Sequence, residues 1–246
     1  MSLVSRHLAR HAAAALAGTA LDHAATARPK APAPASVNPE YAALLEQLGE
    51  DLRTLSNIQS VERKIETKAG MIGRYRDWID GALRAGKDGA AVQDEIVATM
   101  LVWSLDLHEW TAALQIGAHV LTHGIEIARL RRTAACLIAE EIADAGLKDV
   151  AAVDHGTLIA AQALTDPHDM PDEVRAKLLK AIGRKLMADA DAFDAEDEGA
   201  AAGGKPALLS AALDALTRAR SLDAKVGVAK DIETLGRELK KLAPPT

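Results

Sequence analysis

Residues 38–65 read NPEYAALLEQLGEDLRTLSNIQSVERKI. Asn38 is a good N-cap, Pro39 suits the first helical position, and Glu40 lies at the helix's positive end. Tyr41, Leu45, Leu48, Leu52, Leu55, Ile58 and Ile65 follow spacings of three and four, loosened only between Ile58 and Ile65. The pattern predicts a long helix of about 30 residues, or about 45 Å, with a narrow apolar stripe. Such a stripe suits a partner helix within the chain or a second subunit. No proline recurs until Pro167, so helix is permitted throughout the centre of the chain.

The composition agrees. Of 246 residues, 49% are hydrophobic and 26% charged, while aromatics amount to three Trp, two Tyr and one Phe. Most of the apolar content is Ala and Leu, which favour helix, so the fold class is all-α and a β-sandwich or barrel is excluded. Cys136 stands alone, which rules out an internal disulfide and a cysteine-rich zinc site. No apolar run approaches the ~20 residues that cross a bilayer. Net charge is −6, so any contact with nucleic acid must use a local basic patch or its symmetric repetition.

Three segments are expected. Residues 1–38 form a flexible basic arm with Arg6 and Arg10, leading into a Pro-rich linker. The Ala-rich start does not read as a secretory signal, because its apolar stretch is weak and Asp22 follows closely. Residues 39–166 form a helical core of helix pairs. Breaks fall at Gly70–Gly73, Gly86–Gly89, Asp106–His108, Gly124 and Gly146, and Trp103 to Gly124 reads as a hairpin. Residues 167–246 form a smaller, repeat-like helical unit. In it Ile182, Gly183 and Leu186 before an acidic insert at 189–204, and Ala211 and Ala215 after it, resemble the small/large pattern of a tetratricopeptide hairpin, with the insert breaking the 34-residue register. Asp189 to Glu198 carries six carboxylates and no base.

Several motifs resemble sites. Gly81 to Asp88 nearly spells a phosphate-binding loop, but Asp88 replaces the hydroxyl residue that holds magnesium, and the segment ends a helix. His119 and His123 lie one turn apart without the further ligands a structural zinc site uses. Asp94/Glu95, Asp106/Glu109 and Glu140/Glu141/Asp144 are the carboxylate groups that could hold Mg2+ for phosphodiester cleavage. The basic residues are more pointed. Arg63, Lys64, Lys68, Arg74 and Arg76 gather at the end of the long helix and the corner after it. Arg129, Arg131 and Arg132 form a second cluster. Both suit phosphate contacts.

Ile58-Gln59-Ser60-Val61-Glu62-Arg63-Lys64, Lys68, Arg74-Tyr75 and Trp78 resemble the small terminase subunit of temperate contractile-tailed phages, also described as the terminase endonuclease subunit. The likeness runs on through Met100-Leu101-Val102-Trp103, Asp106, Trp110, Ala113 and Leu114. It continues in Glu140 to Asp144 and in Gly227-Val228, Lys230-Asp231-Ile232 and Leu235. This chain lacks the prolines that the family pattern places near Gly73 and Ile127. The resemblance implies packaging of double-stranded phage DNA in the bacterial host cytoplasm. It implies partnership with an ATP-hydrolysing large subunit. The narrow stripe of the long helix, with a weak basic patch that gains from symmetric repetition, adds the expectation of a homo-oligomer, and the lack of a long apolar run that of no membrane role. No catalytic residue and no cofactor are assigned; Mg2+ enters only if the chain itself cuts DNA. The expected role is recognition of the packaging site. The alternatives are an endonuclease acting at the cohesive end and a helical scaffold with no DNA role.

Overall fold

The computed structural model of the protein describes residues 39–128, 132–194 and 204–242. The expected amino-terminal arm, Arg129, Arg131 and most of the acidic insert lie outside these residues. Among the described residues there are ten α-helices and no extended strand, in agreement with the all-α reading. The chain divides at Ile138/Ala139 into two compact units.

The first unit opens with α1, Pro39–Ser56. The expected helix of about 30 residues is interrupted here. Asn57 and Ile58 close the helix end onto the carbonyls of Arg53, Thr54 and Leu55. Ser60 then takes an extended conformation, and its Oγ accepts from Arg63 N at 3.3 Å, capping α2, Val61–Met71. Ser56, Asn57 and Ser60 offer the backbone local hydrogen bonds that compete with continued helix. α1 buries Tyr41, Leu48, Asp51 and Leu55 within its own unit. By contrast, Met71 is the one buried residue of α2. A 3-10 turn, Ile72–Tyr75, leads into α3, Arg76–Lys87.

Two buried carboxylates fasten these pieces. Asp51 is 3% exposed. It accepts from Arg74 at 2.7 and 3.0 Å, from the Tyr75 hydroxyl at 2.8 Å and from Gln47 at 3.1 Å. Burial and the neighbouring Asp51 charge push the Tyr75 hydroxyl well above the usual phenol range. Asp94 caps α4, Glu95–Asp106, accepting from the amides of Ile96 and Val97 at 2.8 and 3.1 Å. Its second oxygen accepts from Trp78 Nε1 at 2.7 Å. Tyr41 stacks on Trp78 with centroids 5.1 Å apart, and its hydroxyl accepts from Glu95 N. Burial raises the Asp94 pKa despite these donors.

α4 and α5, Trp110–His123, make the expected hairpin. His108 turns the corner at φ 58, and Gly124 ends α5 in the left-handed conformation. Gly86, the fixed glycine of the phosphate-loop look-alike, has a packing role. A Cβ there would lie 2.3 Å from His119 Cε1 and 3.0 Å from His123 Nε2.

The division between the units falls in α6, Ala134–Lys148. The second unit continues through α7, His155–Thr165, α8, Asp172–Asp191, α9, Gly204–Leu222, and α10, Ala229–Leu242. α8 and α9 run antiparallel. Asp191 meets Lys205, Gly183 meets Leu216, and Leu178 shares a cavity wall with Leu222. Ile182, Gly183 and Leu186 face inward as expected. On α9, however, Ala212, Leu216 and Ala219 are buried, whereas Ala211 is exposed and Ala215 half-buried. The apolar face is one residue out of the expected phase, because Leu209 and Leu216 set it. Lys177 bridges to Glu140 and Asp144 on α6, and Arg184 to Asp231 on α10.

Gly86→Ala and Gly183→Ala should each cost about 1–3 kcal/mol, since the new methyl meets His119 or Leu216 within 2.5 Å. Gly70→Ala has open space and lies inside α2, so it should stabilise by about 0.5–1 kcal/mol. Urea unfolding midpoints check both signs.

Candidate nucleic-acid interface

The basic residues of the first unit are borne on α2, the 3-10 turn and the start of α3. Their environments differ. Lys68 is paired with Asp106 at the end of α4. Arg74 forks onto both oxygens of Asp51, a carboxylate that is nearly inaccessible to solvent. Arg76 approaches Glu109 at 3.6 Å, with the Arg76 side chain well exposed and Glu109 half-buried. Arg63 is exposed and Lys64 half-exposed, and among the described residues neither has an ion-pair partner.

These differences set what each cation can do. An exposed pair such as Arg76–Glu109 is worth about 0–1 kcal/mol, so a phosphate can compete for the guanidinium. Arg74 is held more firmly, because leaving would deprive a buried carboxylate of two charge-assisted hydrogen bonds. Arg74 therefore acts as a strut for the corner. Arg63 and Lys64 carry charge that no described residue pairs with. In the second cluster, Arg132 is exposed just before α6, and Arg129 and Arg131 lie outside the described residues.

The second unit carries a basic surface that the sequence reading passed over. Lys225, Lys230, Arg237, Lys240 and Lys241 are exposed at the end of the chain, and none forms an ion pair among the described residues. Lys230, Arg237 and Lys241 recur at spacings of seven and four along α10, which was the available signal. Glu233 and Glu238 break up the charge run and hid it.

The carboxylates singled out from the sequence are turned to structural work. Asp94 caps α4, Asp106 and Glu109 face Lys68 and Arg76, and Glu140 and Asp144 face Lys177. Among the described residues no three His, Cys, Asp or Glu side chains converge. A cation at Asp106, Glu109, Glu140 or Asp144 would have to displace the Lys68, Arg76 or Lys177 side chain that faces it. His119 is buried, and burial together with His123 lowers its pKa. The two rings lie 4.7 Å apart against Gly86. No described helix is long and apolar enough to cross a membrane.

The family described as phage small terminase subunit matches residues 45–173, from within α1 to the start of α8, and includes both buried carboxylates. The chain is also 38% identical over 209 residues to the "Terminase, endonuclease subunit" of Escherichia phage P2, covering 83% of this chain and 76% of that protein. This chain belongs to the phage small terminase subunit family. No solved structure matches it. In this small terminase, the matched region carries both the Asp51–Arg74 fastening and the unpaired cations of α2.

Arg74→Ala should destabilise the protein by about 1–3 kcal/mol, through the donors lost to buried Asp51. Arg76→Ala should stay within about 0.5 kcal/mol of the parent. Chemical denaturation of the two variants distinguishes the strut from the surface cation.

Proposed function

We propose that this small terminase recognises double-stranded phage DNA at the packaging site and brings it to the ATP-hydrolysing large subunit, working as a homo-oligomer in the host cytoplasm. The observation that carries this reading is α2. One of its residues is buried, it is capped by Ser60 at one end and anchored by the Asp51–Arg74 corner at the other, and it presents Arg63 and Lys64 unpaired. Arg63 is the main phosphate contact, with Lys64 and Arg76 adding positive potential; Arg132 belongs to a second, separate basic cluster. Lys68 and Arg74, also expected at phosphates, contribute mainly through the carboxylates they neutralise. With a net charge of −6, one such patch binds weakly, and repetition by symmetry multiplies it. The packing role of Gly86 accounts for the phosphate-loop look-alike, which supports placing ATP hydrolysis in the large subunit.

A second reading is that the chain itself cuts DNA. The printed name of the phage P2 relative favours it. The engagement of the candidate carboxylates with cations and backbone amides weighs against it.

The test is a fluorescence-anisotropy titration of packaging-site DNA at several salt concentrations, with and without Mg2+. Arg63→Ala should weaken binding and lower the salt slope by about one unit per copy in contact, with sequence preference unchanged. Unchanged affinity and slope would remove α2 from the DNA surface. Mg2+-dependent cleavage by the purified chain would establish the nuclease reading.

A further inference from the structure

Among the described residues, nothing covers one apolar face of α2. Val61 is 72% exposed and Ile65 is 40% exposed, one turn apart on the same side. They are two of the four large hydrophobic residues exposed among those described. The same unit also holds an open apolar groove of ≈ 210 Å³. Its floor is Ile72, Ile79, Met100 and Ile116, and its walls include Leu83 and Ala112. Asp80 and Glu109 stand at its rim beside Arg76. Asp80 is exposed with no ion pair among the described residues, and Arg76 meets Glu109 loosely at 3.6 Å. The mouth is therefore negative on balance.

We infer that the Val61/Ile65 face of α2 docks into the groove between α3 and α5 of a second copy of this chain. This rests on the homo-oligomer reading above and gives it a specific interface. The two surfaces match in chemistry: branched aliphatic side chains meet an aliphatic floor. Lys64, on the same side of α2 as Val61 and Ile65, approaches the carboxylate of Asp80. A chain cannot fill its own groove this way. Val61 lies ten residues, about 15 Å of helix rise, from Met71, and the following residue, Ile72, already lines the groove. Arg63 is two residues, about 200° around the helix, from Val61, so docking leaves it facing outward for DNA.

Because knob and groove are different surfaces, the contact is head-to-tail, and successive copies close a ring or extend a filament. This moves self-association from the α1 stripe, which is spent on Leu48, Asp51 and Leu55 inside the unit, to α2.

The test uses light scattering on the full chain at micromolar concentration, with circular dichroism to verify folding. Wild type should be oligomeric. Ile65→Glu, which disables the knob, and Ala112→Arg, which fills the groove, should each be monomeric. An equimolar mixture of the two should form a dimer and nothing larger, since each variant keeps one working surface. If Ala112→Arg does not fold, Asp80→Lys at the groove mouth takes its place. A wild-type monomer overturns the homo-oligomer reading itself. Wild-type-sized oligomers of Ile65→Glu, or a mixture that stays monomeric, overturn the docking while leaving self-association in place.

Discussion

The carboxylate of Asp51 is the point on which the first unit depends. A buried carboxylate is costly unless its oxygens are filled with donors. Here Arg74, Tyr75 and Gln47 fill them. The requirement fixes how α1 lies against the corner, because Arg74 and Tyr75 must both reach one group on α1. Tyr75, fully buried, then meets the edge of Trp103 on α4 at 6.0 Å. Asp94 repeats the device one layer on, joining Trp78 of α3 to the first turn of α4. With both ends of the corner pinned, α2 extends from it with little burial of its own. Its cations and its apolar face are thus held in place by the fastening at Asp51.

What the sequence reveals follows from what is local. The Trp103–Gly124 hairpin is legible because its stop signals and its apolar spacing both lie within about twenty residues. Helix composition is legible for the same reason. The break after Ser56 is carried by Ser56, Asn57 and Ser60, but the apolar spacing on either side masks it. The role of Arg74 is not legible, since nothing in residues 70–80 shows that a buried carboxylate 23 residues earlier will claim it. Lys68 and Arg76 are similar, drawn to Asp106 and Glu109 by the return of α4 and α5. A run of basic residues therefore reads as one patch, although three of its five members are already matched. The α9 face illustrates a phase error: Leu209 and Leu216 set the buried side, and the alanines chosen from repeat spacing lie one position off it.

The proposed role agrees with the same details. A short helix with one or two cations unpaired among the described residues would give little affinity for DNA alone, and the proposal makes up for that by symmetric repetition. The exposed aliphatic residues of α2 and the groove between α3 and α5 offer a route to that symmetry. The glycine of the apparent phosphate loop is explained by the close approach of α3 to His119. Five of the seven candidate carboxylates, Asp94, Asp106, Glu109, Glu140 and Asp144, cap a helix or face a cation.

Hydrogen–deuterium exchange on the full chain, with and without double-stranded packaging-site DNA, tests the placement of the DNA surface most directly. Slowed exchange across residues 60–76 on addition of DNA, weakening as salt is raised, is the expected result. Protection confined to the second unit or to the amino-terminal arm, with residues 60–76 unchanged, would contradict it.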